Sequence, residues 1–182
     1  GHGITKIKVS KEKDLKKLYK KLLDQKQYLL EEEIIQSKEV NEINPNVVCS
    51  LRICTLYKDS KFYLVGNAFR INQDESEIIG CTNDLYFSLN EKGKIDSNVI
   101  DDYGNVYEEH PLTHKKFKEV KIPGVKEAFD MCQKAAKKLP QVRYIGWDIA
   151  FTDKGPVMVE GNEYPGYGIL QFYKLKNSHE GY

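Results

Sequence analysis

Apolar residues fall along this chain mainly in short β-branched and aromatic runs divided by polar turns, with two stretches at helical spacing. Residues 4–9 alternate apolar and basic positions, the pattern of a half-exposed strand. Ser10 is placed to cap a helix. Leu15, Leu18, Tyr19, Leu22 and Leu23 recur at the i, i+3, i+4, i+7, i+8 spacing of one helix face, with lysines on the solvated side. Tyr28-Leu29-Leu30 starts a second strand, which runs into Glu31-Glu32-Glu33-Ile34. A short helix over 36–43 and an Asn44-Pro45-Asn46 turn come next. Two long strands are predicted over 47–57 and 61–71, joined at Asp59-Ser60. Residues 72–84 read as a loop, and 86–89 with 94–95 as a hairpin across Glu91-Lys92-Gly93. Residues 97–121 show no period. Their two histidines, His110 and His114, read as surface residues of a long loop. Pro123 fits the first turn of a helix reaching about Lys138, with Val125, Ala128, Phe129, Cys132, Ala135, Ala136 and Leu139 as its apolar face. Pro140 ends it. The turn Tyr164-Pro165-Gly166-Tyr167-Gly168 precedes a last helix over 169–175.

The most informative runs are 144–151 and 157–160, which flank Asp153-Lys154-Gly155. They predict a hairpin with a three-residue loop and glycine in the left-handed position. Pairing Thr152 with Pro156 puts Asp148 opposite Glu160, with Cβ atoms roughly 5 Å apart on one face. Asn162 points the same way. Two carboxylates this close repel and lose solvation, so a positive partner is expected. Oxygen donors without His or Cys suit magnesium or manganese. An edge hairpin whose acids simply face water is the other reading.

The bulk numbers narrow this picture without choosing within it. The 182 residues suffice for a good core, with 40% hydrophobic and 11% aromatic content. A formal net charge of +1 gives no reason to expect a nucleic-acid or membrane-surface partner. No apolar run approaches the ~20 residues of a membrane span, and no secretory signal is visible. The cysteines, Cys49, Cys54, Cys81 and Cys132, have no metal-site spacing, so reduced thiols and a cytoplasmic location are expected. The chain opens with Gly-His-Gly, which reads as a processed, tagged or partial sequence.

Arg52 and Arg70 sit inside apolar strand runs. An arginine cannot lose its charge, so each needs an anion: a structural carboxylate or a ligand. The acidic triplet after a strand reads either as an exposed strand end or as a hinge whose backbone meets a ligand.

Several segments, in order, resemble the C-terminal part of an ATP-grasp protein of the branch associated with sugar transfer and polysaccharide loci. They are Asn44-Pro45, Leu51-Arg52-Ile53-Cys54-Thr55, Ala68-Phe69-Arg70, His110-Pro111-Leu112-Thr113, Ile122-Pro123, Ile145-Gly146-Trp147-Asp148-Ile149-Ala150 and Gly155-Pro156-Val157-Met158-Val159-Glu160-Gly161-Asn162. The resemblance implies an α+β fold with an antiparallel sheet and flanking helices. Residues 1–34 would be the remainder of a nucleotide-binding lobe, and 35–182 the lobe with the metal and phosphate site. It also implies an ATP- and Mg-dependent ligase that joins a carboxylate, on a small or sugar-linked substrate, to an amine or similar nucleophile through an acyl-phosphate.

By that resemblance Asp148, Glu160 and Asn162 would hold the metal on the triphosphate, and Arg52 and Arg70 would act on phosphates. Gly1 and Gly3 would belong to a mobile phosphate-covering loop. Glu31, Glu32, Glu33 and Ile34 would form the adenine hinge, read through the Ile34 N–H and the Glu32 carbonyl. The family's upstream lobe and its phosphate-binding lysine have no counterpart, and Asn83-Asp84-Leu85 lacks the glycine pair usual after that Asn. Those departures motivate a second expectation, a nucleotide- or partner-binding module without catalysis. A metal nuclease is a remote third, because an Asp followed by Glu-x-Lys on a hairpin is a nuclease pattern and Asn162 stands at the Lys position.

Overall fold

A computed structural model describes residues 7–26, 31–73 and 83–171. The chain divides into two compact units, Gly1–Glu33 and Ile34–Tyr182.

In the first unit, helix α1 covers Glu12–Asp24. Its cap is Lys11 rather than Ser10: Lys11 has extended backbone, and its carbonyl accepts the N–H groups of Asp14 and Leu15. Leu15, Tyr19 and Leu23 are 47, 62 and 43% exposed. No residue of the amphipathic stripe is buried within this unit. Residues 7–10 have no regular structure, and positions 4–6 and 28–30 of the two predicted strands lie outside the described residues. Residues 31–34 have no regular structure. All three glutamates are exposed, whereas a strand would turn alternate ones inward.

The second unit is built on one antiparallel sheet. Its strands are β1 (Ser50–Lys58), β2 (Lys61–Asn72), β3 (Asp84–Phe87), β4 (Val99–Asp101), β5 (Val106–Tyr107), β6 (Tyr144–Thr152) and β7 (Gly155–Glu163). They lie in the order β5-β4-β3-β2-β1-β6-β7. The predicted strands 47–57 and 61–71 appear as β1 and β2, and Asp59 and Ser60 make their tight turn at φ +50 and +61°. Asp84 heads β3 instead of closing a loop.

Residues 97–121 contribute β4, β5 and a 3-10 turn at Phe117–Glu119, not a continuous irregular loop. These pieces are too short to show a period. They are organised by the Asp101 carboxylate, which accepts the Tyr103 and Asn105 N–H groups, the Asn105 amide and the Tyr107 hydroxyl.

Helix α3 (Val125–Lys138) lies on one face of the sheet. Its buried Val125, Ala128, Cys132 and Ala136 meet Leu51, Ile53, Phe69, Ile71, Trp147, Ile149 and Phe151 in one core. Phe69 is sandwiched by Phe87 at 5.2 Å and Phe151 at 6.1 Å between ring centroids. Gly124, left-handed at φ +84°, caps the helix, so Pro123 lies one residue before the cap rather than in the first turn.

The helix predicted over 36–43 shrinks to α2 (Lys38–Asn41), because Gln36 is spent on tertiary bonds. Its amide donates to Asn41 Oδ1 and the Asn44 carbonyl and accepts the Cys49 N–H. Of the predicted last helix, Gly168–Leu170 forms a 3-10 turn and 172–175 fall outside the described residues.

Cys49, Cys54 and Cys132 are free and buried; Cys81 is outside the described residues. No helix among the described residues is long and apolar enough to cross a membrane.

Strand alternation separates two faces. Leu51, Ile53, Phe69, Ile71, Ile145, Trp147 and Ile149 turn towards α3. Register places Arg52, Cys54, Ala68, Arg70, Asp84, Tyr86 and Asp148 on the other side.

Two glycines test this packing. A Cβ on Gly93 (φ +74°) would sit 1.8 Å from the Ile122 carbonyl oxygen, whereas Gly155 (φ +112°) faces open space. Gly93→Ala should cost roughly 2 kcal/mol or more, combining backbone strain with overpacking. Gly155→Ala should show the strain alone, about 1 kcal/mol. Urea unfolding midpoints of the two variants measure the difference.

Candidate functional site

The hairpin brings Asp148 opposite Glu160 by a different route from the one the sequence suggests. Thr152 pairs with Gly155, not Pro156, and that register runs on to Ile149 opposite Met158. It then shifts at a bulge: Asp148 pairs with Glu160 and Val159 is left over. The tight turn is held by Thr152, whose Oγ1 donates to the Gly155 carbonyl and accepts the Lys154 N–H. Without the bulge, Asp148 would face Val159 and the glutamate would turn to the other side.

Arg52 completes the row, since β1 pairs it with Asp148. Its Nε and Nη2 donate to Asp148 Oδ1 and Oδ2 at 2.5 and 2.8 Å, a side-on fork. Both side chains are mostly covered, at 20 and 15% exposure. Asn162 Nδ2 donates to Glu160 Oε1 at 2.9 Å and to Asp148 Oδ2 at 3.4 Å.

Burial pushes the Asp148 carboxyl above the ordinary aspartate value, and Glu160 across the strand pushes the same way; the Arg52 fork opposes both without prevailing. Glu160 is held below its ordinary value by the Asn162 amide and by Asp148. One guanidinium thus faces two carboxylates, and the row keeps a negative excess.

That arrangement fits a hard cation. Its donors are oxygens, and a partly positive N–H group of Asn162 already bridges the carboxylates. The amide oxygen is available on the same side chain by rotation. No group of three or more His, Cys, Asp or Glu among the described residues is placed to hold a metal ion, so a cation here would depend on the amide and on ligand oxygens as well.

Glycines let the row close up. A Cβ on Gly146 would sit 2.5 Å from Pro165 Cβ and 3.0 Å from the Arg52 stem. On the opposite face, one on Gly161 would strike the Trp147 ring at 2.9 Å. Trp147 is fixed there by donating its indole N–H to Thr55 Oγ1.

Arg70 lies diagonal to Arg52 on the same face, opposite Ser50 and Tyr86. Its Nε donates to the wholly buried Asp84, and its guanidinium stands 6.0 Å from the Tyr86 ring centroid. Each strand arginine therefore has a carboxylate of its own. Asp84 is the residue the sequence reading missed. The available signal was its place at the head of Leu85-Tyr86-Phe87, two positions before Tyr86 on one strand face.

His110 is buried, not a surface residue. Nε2 donates to the Asn72 carbonyl at 2.7 Å while Nδ1 accepts the Leu112 and Thr113 N–H groups, and burial lowers its pKa. It is neutral and joins the 110–113 segment to the end of β2.

Of the other expected residues, Gly1 and Gly3 lie outside the described residues. Glu31, Glu32 and Glu33 are exposed and Ile34 is half-buried. A groove of about 670 Å³ lies between Lys94, Val99, Tyr107, Glu108 and Phe117, and none of the expected site residues lines it.

Charge balance in the row is open to measurement. Arg52→Met leaves Asp148 covered and facing Glu160 without its counter-charge, which should cost about 1–3 kcal/mol at neutral pH. The lost stability should return on acidification. A carboxyl whose folded pKa is raised contributes stability below its ordinary value and loses it as the pH rises through the folded one. Glu160→Gln should change stability by less than about 0.5 kcal/mol and lower the Asp148 pKa. Urea unfolding across pH and carboxyl NMR titration check both.

A family model described as sugar-transfer associated ATP-grasp matches residues 6–178. No curated protein and no solved structure matches the chain.

Proposed function

The chain belongs to the sugar-transfer associated ATP-grasp family, and from that premise we propose that it serves an ATP- and magnesium-dependent ligase. The reaction joins a carboxylate to an amine or similar nucleophile through an acyl-phosphate. The observation that carries this reading is the row Arg52–Asp148–Glu160 with Asn162 bridging the acids.

Asp148, Glu160 and Asn162 would hold magnesium or manganese on the triphosphate. Bound there, the cation draws charge from the phosphoryl group being transferred. Arg52 orients Asp148 through two of its five N–H groups, which leaves the guanidinium edge for a phosphate oxygen. Arg70, anchored by Asp84, supplies a second fixed positive charge on the same face. Transfer of the terminal phosphoryl to a substrate carboxylate releases ADP. Attack by the nucleophile then expels phosphate.

A binding role without turnover is the second reading. It is favoured by one observation: both strand arginines are already neutralised by carboxylates of this chain.

Thermal melts with magnesium alone and with magnesium plus ATP test the site. A ligand at about 100 times its dissociation constant adds about 2.7 kcal/mol, roughly 5–10 °C for a chain of this size. The shift should need both components and should vanish in Glu160→Gln. It should also weaken on acidification earlier than ordinary carboxylates would dictate, because protons compete for Asp148. A shift given equally by ATP without metal would sink the metal assignment. ADP release on addition of carboxylate and amine separates the ligase from the binding module.

A further inference from the structure

The oxygens of the acid pair are already engaged by donors of this chain. Asp148 Oδ2 accepts from two of them, Arg52 Nη2 at 2.8 Å and Asn162 Nδ2 at 3.4 Å. A carboxylate oxygen offers two in-plane lone pairs, so Oδ2 is fully used. Arg52 Nε holds the other oxygen, Oδ1, at 2.5 Å. Asn162 Nδ2 also donates to Glu160 Oε1 at 2.9 Å. One amide nitrogen thus joins Asp148 Oδ2 to Glu160 Oε1, and these are the oxygens that a cation between the acids would share. A guanidinium arm and an amide N–H stand in for that cation.

The two donors differ in what dislodges them. Asn162 can turn its amide over and offer oxygen in place of nitrogen without any change of charge. Arg52 cannot shed its proton, so it leaves one anion only for another. Its stem is packed: Cδ would stand 3.0 Å from a Cβ on Gly146, in space that Pro165 also closes. A change of partner therefore falls to the guanidinium end. A metal ion arriving alone would have to displace a paired guanidinium and leave it without counter-charge in a largely covered position, which is costly.

We propose that Arg52 gates the cation site: it occupies Asp148 until a phosphate group takes over its guanidinium, so that metal enters only together with a polyphosphate. The gate rests on the reading of the row as a metal and nucleotide site, and adds a binding order to it. The phosphate first meets the guanidinium edge that the fork leaves free. Nη2 then gives up Asp148 Oδ2 for a phosphate oxygen, and Asn162 turns its own oxygen towards the acids. The fork that neutralises Asp148 is thus the resting state of the site.

The test counts bound manganese from its electron spin resonance signal, with no nucleotide present. Arg52→Met should bind the ion roughly tenfold or more tighter than wild type, because the competing charge is gone. Adding Glu160→Gln to Arg52→Met should remove the gain, which locates the ion in the row. Arg52→Lys keeps the charge without the two-point grip and should bind about threefold tighter than wild type. It carries the test by itself if Arg52→Met does not fold. Manganese bound equally by wild type and Arg52→Met overturns the proposal, and so does binding by neither. Exclusion of manganese from Arg52→Lys as complete as from wild type also overturns it, since charge without the fork would then suffice. The magnesium–ATP melt of wild type reports separately on the nucleotide reading. A manganese gain in Arg52→Met with no ATP shift in wild type would keep the gate and remove ATP as its release. An ATP shift without a manganese gain in any Arg52 variant would keep the nucleotide site and remove the gate.

Discussion

A charged group placed inside an apolar sheet must be answered from a neighbouring strand. In this protein that requirement ties the site together. Arg52 on β1 and Asp148 on β6 stand opposite each other and form a two-point fork. The fork orients the carboxylate, and it neutralises one of the two acids in the row. Glu160 and Asn162 on β7 extend the row, and the surplus negative charge makes the place suited to a cation. A lysine at position 52 could supply charge but not the planar, two-point grip.

The sheet can support such a row because its two faces are divided. One face is apolar and covered by α3, with the Phe87–Phe69–Phe151 stack at its centre. The other collects the charged residues and is crossed by the 164–170 turn. Gly146 and Gly161 serve the two faces separately. The first admits Pro165 and the Arg52 stem, and the second admits the Trp147 ring. The site therefore stands on strands whose opposite side is a packed core, which limits how far its carboxylates can drift.

A second set of polar residues fixes the far end of the same face. The Asn72 carbonyl accepts from both His110 and the Asn44 amide, Thr113 bonds the Ile43 carbonyl, and Gln36 ties Asn41, Asn44 and Cys49 together. These bonds satisfy backbone groups at the end of β2 and in the 43–49 segment. They also hold β2 and β3 where Arg70 meets Asp84. Burial of such side chains only makes sense with their bonds made, which is why His110 is neutral and enclosed.

Local pattern was enough to determine the apolar runs of β1, β2, β6 and β7 and the face of α3. Each depends on residues close in sequence and on side-chain periods set by backbone geometry. The tertiary structure decided what lies beyond one segment's reach. Arg52 and its carboxylate are 96 positions apart, and Arg70 and Asp84 are 14 apart across a loop. The bulge at Val159, which restores the register lost by the tighter turn, depends on how β7 meets β6 as a whole. β4 and β5 are strands only because β3 and the Asp101 carboxylate organise them. Burial of His110 likewise comes from contacts with β2, which no spacing around position 110 records. Period and turn chemistry are properties of a segment; charge pairing and burial are properties of the assembled sheet.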